Sequence, residues 1–397
     1  MASTTNTRTI SFADKKNKPS IDIVFLGLYF VLLPISTALS GIIGSSSLVN
    51  YLSVLYCFFA FFRLLIGNRI VFRKRCFFVY LYLTYVLFSF VWNRFFVFNW
   101  YFFTFALSFS IVMLSSLFDY TDSDYLYLNK CVMVSFSITI LTFLFNINHL
   151  YGGRIQVAIT STMDPNDFGG GMMLILSFLL VQLSKTKKYI LIIPICFVGF
   201  MIVLTGSRAA LLMFIIAILA RFMLTGGIKN VIKALVAVLV LVLLFVLIER
   251  FLPPEIVERL SLSRLMEDQG SGRVGIWKAA FARFGTFNLL EMLFGTGHGS
   301  FAQTVNYYAG YRDTPYMAHN MYVNELIEGG IIGEFLLICC IISLIRNAHL
   351  NKNMLGILVI ICFAFEGISL DIQSYRVLSV AFFFAMLPNR DRGKLVI

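Results

Sequence analysis

Charge is what this sequence has least of. Only 13% of its 397 residues are Asp, Glu, Lys or Arg, against about 25% in a soluble globular chain. Hydrophobic residues make up 59% and mean hydropathy is +0.85, so a soluble domain is excluded and a polytopic membrane protein is expected. Histidine occurs four times and cysteine seven. The cysteines all fall within or at the edges of apolar runs, none with a His at metal spacing. They read as packing residues, not as a disulfide framework or a zinc site. There is no P-loop, no dinucleotide-binding glycine fingerprint, no Asp-x-Asp pair and no His-rich cluster. Nucleotide hydrolysis and metal-dependent transfer from a nucleotide sugar are therefore unsupported, and no metal and no cofactor is expected. Residues 1–20 are polar and basic and lack an apolar h-region, so they read as a cytoplasmic tail before an uncleaved first span.

What charge there is leans one way. The net charge of +12 lies in short loops between apolar runs, which is the positive-inside bias of a membrane protein and no sign of a nucleic-acid partner. A span needs about 20 mostly apolar residues. On that measure there are about 12 transmembrane helices, centred in 21–39, 48–66, 76–92, 97–118, 131–148, 168–183, 189–205, 209–224, 231–248, 331–345, 354–370 and 377–388. The fold class expected is an all-α integral membrane protein, one domain over 1–397, with both termini cytoplasmic. The inside loops then hold Arg69, Arg73, Lys74 and Arg75; Lys185, Lys187 and Lys188; Arg221, Lys229 and Lys233; Arg346 and Lys352. The tail 389–397 adds Arg390, Arg392 and Lys394. One inside loop disagrees, since Asp119, Asp122 and Asp124 share it with a single Lys130, but acidic residues count for little in this rule.

The long segment 249–330, between spans nine and ten, is external in this topology. Pro253-Pro254 ends the preceding span, and Glu255–Leu265 and Gly275–Phe284 have helical spacing. Trp277, Phe281, Phe284, Phe287, Leu289, Leu290, Phe294 and Phe301 supply enough apolar surface for the segment to pack back onto the membrane domain.

Three residues on that side point to chemistry. Arg208, in Leu204-Thr-Gly-Ser-Arg-Ala-Ala, stands between two apolar runs, with Thr205 or Ser207 placed to cap the following helix. A cation at a helix N-terminus opposes the dipole unless an anion shares the site. Arg273, in Gly270-Ser-Gly-Arg-Val-Gly-Ile-Trp277, again follows small residues at a helix start. Two such arginines on one side suit a diphosphate, which the guanidinium grips through paired hydrogen bonds. His319 precedes a helical pattern beginning near Asn320. There the dipole favours a neutral imidazole, the form a general base requires. His298, in Gly-Thr-Gly-His-Gly, reads as a loop residue whose glycines let backbone approach a ligand. Arg154 and the run Asp164-Pro-Asn166-Asp167 are external; the run is turn and N-cap chemistry or a sugar-binding edge. Glu325 and Glu328 follow on the His319 helix, and Glu328 reads as a helix-surface residue.

Taken together, Asp164-Pro-Asn-Asp-Phe-Gly, Leu204-Thr-Gly-Ser-Arg-Ala-Ala, Ser271-Gly-Arg-Val-Gly-Ile-Trp, Gly295-Thr-Gly-His-Gly-Ser-Phe and His319-Asn-Met-Tyr-Val-Asn-Glu-Leu-Ile-Glu-Gly-Gly-Ile-Ile-Gly resemble the O-antigen ligase and Wzy-type polymerase superfamily. The resemblance covers residues 150–370; the first four spans share only hydrophobicity. It implies a GT-C-like, metal-independent glycosyltransferase at the periplasmic face of a bacterial inner membrane. The donor it implies is an undecaprenyl-diphosphate-linked oligosaccharide, the other partners being the bilayer and a chain-length regulator protein. In that family's terms Arg208 and Arg273 hold the diphosphate and His319 activates the acceptor hydroxyl. Arg154, Asp164, Asn166, His298, Asn320, Tyr322 and Glu325 are the residues expected to line the substrate site. The full Asp-Pro-Asn stretch favours a polymerase joining repeat units over a ligase transferring the glycan to lipid A core. A flippase predicts ionisable residues inside several spans and a repeat between halves, and neither is apparent. A structural scaffold leaves the two arginines unexplained.

Overall fold

The computed structural model describes residues 19–33, 48–66, 70–96, 100–146, 150–151, 154–155, 165–224, 226, 228–267, 272–309, 317–370 and 377–388. Every one of the twelve apolar runs carries an α-helix, as a chain must in hydrocarbon, where each backbone N–H and C=O needs an internal partner. The helices are α1 (Ile21–Leu32), α2 (Leu48–Leu65), α3 (Phe77–Ser89), α4 (Trp100–Ser116), α5 (Asp122–Asn146), α6 (Pro165–Thr186), α7 (Ile192–Leu204), α8 (Arg208–Leu224) and α9 (Ile228–Ile248). After the long segment come α16 (Gly330–Leu350), α17 (Met354–Glu366) and α18 (Val377–Met386). The only strands among the described residues are a two-residue pair, β1 (Leu150–Tyr151) and β2 (Arg154–Ile155).

Among the described residues, five helical stretches are long and apolar enough to cross a membrane: Leu48–Leu65, Lys74–Trp92, Asp122–Leu144, Lys229–Phe251 and Gly330–Leu350. Five more apolar helices are shorter. The all-helical membrane architecture is thus present, while the count of twelve crossings rests on the sequence pattern. Almost none of Lys229–Phe251 is buried in the protein, the position of a helix that meets lipid on most of its surface.

Polar contacts sort the helix ends. Arg63 at the end of α2 donates to Asp22 Oδ2 of α1 at 2.9 Å and lies over the Phe118 ring at 4.5 Å. Arg73 donates to Phe118 O at 2.9 Å, and Val71 N to Leu117 O at 2.9 Å. Ser343 Oγ reaches Arg75 O, Asn347 reaches Ala385 O at 3.0 Å, and the Tyr125 hydroxyl reaches Pro388 O at 3.3 Å. One end of the bundle therefore collects the basic loop after α2, the loop Asp119–Asp124, the loop after α16 and the end of α18. The acidic loop that ran against the charge rule belongs with the basic ones because arginines bind its backbone carbonyls and an adjacent ring.

The opposite end carries the long segment, which folds into α10 (Pro254–Leu260), α11 (Leu262–Glu267), α12 (Arg273–Phe284), α13 (Leu289–Phe294), α14 (Phe301–Ala309) and α15 (Met321–Glu328). Part of the segment packs back onto the bundle: Leu252, Ile256 and Met321 join the main core, and α13 lies along α16. Ala280, Phe287, Phe301, Val305, Ala318, Val323 and Ile327 form a small core of their own, with Trp277 and Phe284 against it. Phe281, Leu289, Leu290 and Phe294 are exposed.

Candidate active site

Arg208 opens α8 at the tight turn that follows α7. The turn is made possible by Gly206, at φ +61°, and Ser207 Oγ caps the helix by accepting from Ala210 N at 3.3 Å. The capping expected of this stretch is thus supplied by Ser207. At the far end of α8, Arg221 donates to Ser184 of α6 at 2.9 Å. α8 packs along α17 and α6.

Arg273 is the first residue of α12. Gly272 before it has φ +79°, a left-handed conformation open to glycine without steric cost. Four residues on, the Trp277 indole N–H donates to Ala318 O at 2.8 Å. That bond fastens the helix headed by Arg273 to the residue preceding His319.

His319 itself is half-buried and sits at φ +47°, in the left-handed region that non-glycine residues enter at a cost of about 1–2 kcal/mol. The next residue explains what holds it there. Asn320 is the N-cap of α15, its side chain accepting from Tyr322 N at 2.9 Å and Val323 N at 3.1 Å. Met321 N donates to Gly367 O at 2.6 Å and the Tyr322 hydroxyl to Ala364 O at 2.8 Å. α15 is thereby docked on the end of α17, the helix against which α8 lies. The expected helix start at Asn320 is where the structure has it. Asn320 and Tyr322 are occupied with this architecture, capping and docking the helix that carries His319. Burial pushes the Tyr322 hydroxyl up to about 12, so it is a donor to Ala364 O and not a base at neutral pH. Replacing Asn320 with Ala leaves two N–H groups of α15 without their acceptor. We expect a loss of about 1 kcal/mol, read as a lower unfolding temperature of the purified protein.

The structure brings a second set of predicted residues together below the surface. His298 and Glu325 are 2% and 0% exposed, and His298 Nε2 lies 3.0 Å from Glu325 Oε2. Ser89 Oγ is 2.7 Å from the other ring nitrogen, and the Tyr82 hydroxyl donates to Glu325 Oε2 at 2.9 Å. Asn93 Nδ2 donates to His298 O at 2.7 Å. The group joins the end of α3 to the Gly-Thr-Gly-His-Gly loop and to α15, so in this conformation it ties the segment to the bundle rather than facing a ligand. Glu328, expected on a helix surface, is 1% exposed. Its carboxylate accepts from Phe301 N and Asn324 Nδ2, both at 2.9 Å. The glycines serve close packing of backbone here: Gly295 has φ +72°, and a Cβ on it would collide with Glu328 O.

Burial raises the Glu328 carboxyl to about 7, only partly offset by His298 and the N–H groups of Phe301 and Gly299. His298 is raised as well: burial works against its charged form, but Glu325 and then Glu328 outweigh it. Both groups bind protons more tightly folded than unfolded, so each contributes stability at low pH that is lost as pH rises through its folded value. For Glu328 the loss runs from 4.5 to about 7. We expect the unfolding temperature to fall across that window, and the fall to be shallower in Glu328→Gln, measured by thermal scanning in detergent.

Of the remaining predicted residues, Asp164 lies outside the described residues. Arg154 sits in β2 and Asn166 in the first turn of α6. Among the described residues no group of three His, Cys, Asp or Glu is arranged to hold a metal ion. Tyr82, Ser89 and the Trp277 hydrogen bond were not found from the sequence. An apolar span containing a tyrosine gives no signal of its own, since its partner lies 243 positions away.

A family model described as O-antigen ligase matches residues 190–338. The matched stretch runs from α7 into α16 and contains Arg208, Arg273, His298 and His319. No curated protein matches the chain. The family match supports the O-antigen ligase and polymerase superfamily for this membrane protein.

Proposed function

We propose that this protein transfers a glycan from a lipid diphosphate carrier to an acceptor hydroxyl, as a polymerase of surface-polysaccharide repeat units. The observation that supports glycan transfer is the family match over residues 190–338; the choice of polymerase rests on the Asp164-Pro-Asn stretch of the sequence. Within that match, Arg208 and Arg273 each begin a helix after a left-handed glycine turn. Chemically the reaction needs little else. A sugar hydroxyl attacks the anomeric carbon, and the C–O bond to the diphosphate breaks through an oxocarbenium-like transition state. Negative charge grows on the departing diphosphate, where two guanidinium groups and the N–H groups of two helix N-termini oppose it. His319 accepts the hydroxyl proton as the new bond forms.

In this reading the loop end of the bundle faces the periplasm and the basic end the cytoplasm of an inner membrane, with both termini cytoplasmic. The donor is an undecaprenyl-diphosphate-linked oligosaccharide, and a chain-length regulator is an expected partner of the polymerase. Arg154, Asp164 and Asn166, on the stretch leading into α6, are assigned to the acceptor. Transfer to lipid A core by the same residues is the second reading, because the matched family model bears the ligase description.

Deletion of the gene separates the two. A polymerase loss leaves core bearing a single repeat unit. A ligase loss leaves bare core with polymer still on its carrier. An unchanged surface glycan on gels would remove both readings.

A further inference from the structure

A cavity of about 570 Å³ opens between the residues after α3 and the helices α13 and α14, within the volume range of small-ligand sites. None of the residues assigned above to transfer lines it. Its walls offer flat aromatic faces and hydrogen-bonding groups side by side. Trp92, Phe95 and Phe294 contribute rings. The Trp92 indole N–H donates to Phe294 O at 3.3 Å, and its ring meets Tyr85 and Phe294 edge-on, so one platform is held in place. Arg94, Arg283 and Gln303 bring guanidinium and amide groups to the same space. Two of the charged groups are already oriented: Arg283 donates to Thr286 Oγ1 at 2.8 Å and lies over the Phe287 ring. Glu291 is fixed by a reciprocal cap with Asn288, with Arg94 3.8 Å away.

The cavity also has a defined relation to the transfer site. Gly295 and Thr296 form part of its wall, and Thr296 N donates to Ile327 O at 3.0 Å, the last turn of α15. His319 stands at the other end of that eight-residue helix, about 12 Å away along its axis at 1.5 Å per residue.

We propose that this cavity is a second glycan site, one that holds sugars of the chain several residues from the one reacting at His319. Sugar rings present C–H faces to aromatic rings and hydroxyls to arginine and amide groups, and the lining supplies both chemistries at once. A diphosphate is not the occupant the walls fit, because Glu291 faces the same space as the two arginines. The inference rests on the transferase reading for the identity of the glycan, and its test does not depend on transfer.

The full-length protein in nanodiscs, free of alkyl-glycoside detergent, is titrated with size-fractionated oligosaccharides released from the surface polysaccharide of the strain that carries this gene. Binding is read by saturation-transfer difference NMR. We expect fragments of several sugars to bind, Trp92→Ala and Gln303→Ala to weaken binding by about tenfold, and Lys278→Ala, at an exposed position of α12 outside the cavity wall, to bind as wild type. Gln303 is exposed and holds nothing in the fold, so its effect is independent of any disturbance from losing Trp92. Binding of both pocket variants within twofold of wild type overturns the proposal, and so does an equal loss in Lys278→Ala. Loss of binding in the pocket variants, in a strain whose polysaccharide is indifferent to deletion of the gene, keeps the glycan site and removes the transferase.

Discussion

His319→Asn is expected to lower transfer by about 10²–10⁴-fold, the usual contribution of a positioned general base, with the unfolding temperature held. Asparagine is the informative replacement because His319 sits at φ +47°, a conformation asparagine tolerates better than most residues. An alanine there would mix the loss of a base with strain in the turn that starts α15. Arg208→Lys and Arg273→Lys keep the charge and remove the planar fork, so they isolate geometry from charge. About 10²–10³-fold is expected for each, in line with removing one donor aimed at developing negative charge. The assay is product formation on gels from a purified lipid-diphosphate-linked repeat unit in proteoliposomes. Retention of transfer within tenfold of wild type by all three variants would mean that the chemistry is carried elsewhere.

What could be read in the sequence follows from how local each cause is. The helices were legible because hydrocarbon leaves the backbone no other way to satisfy itself. A cap at Thr205 or Ser207 and a helix start near Asn320 were legible because a cap acts on N–H groups two or three positions away. The loops after α2 and α16 meet at one end of the bundle, as their lysines and arginines suggest, while the side of a membrane that this end faces rests on the sequence pattern. Even the acidic loop at Asp119–Asp124 fell into place once its carbonyls were seen bound by Arg63 and Arg73. What stayed hidden depends on contacts between distant segments. Glu328 on a short amphipathic helix has the pattern of a solvated residue, and only the placement of Phe301 N beside it reverses that. The apolar residues of 249–330 point to packing on the bundle, which Ile256 and Met321 supply, and not to the second core that α12, α14 and α15 wall among themselves. His298 and Glu325 are polar residues in a glycine-rich, helix-bearing stretch, which is the pattern of a ligand site. It is equally the pattern of a buried joint, and the choice is made by Tyr82 and Ser89 of α3.

That joint gives the second large effect. Glu325→Ala is expected to destabilise the protein by about 3–5 kcal/mol, because it leaves the His298 imidazole buried against a vacated partner. The Tyr82 hydroxyl, which donates to the same carboxylate oxygen, is orphaned with it. His298→Ala is expected to cost a similar amount by exposing the carboxylate to a dry cavity. The double variant His298→Ala/Glu325→Ala removes both partners at once, so its cost is expected to fall well short of the sum of the two single changes. Such non-additivity marks a direct pair, where independent sites would add to within about 0.5 kcal/mol. The measurements are unfolding temperature by thermal scanning and the rate of protease cleavage within 249–330, compared with cleavage in the loop after α16 at the other end of the bundle. If the joint holds the segment down, cleavage rises in the segment and stays at the wild-type rate at the basic end. Equal acceleration at both ends would show that the pair supports the bundle as a whole, and simple additivity in the double variant would show that His298 and Glu325 act through other neighbours.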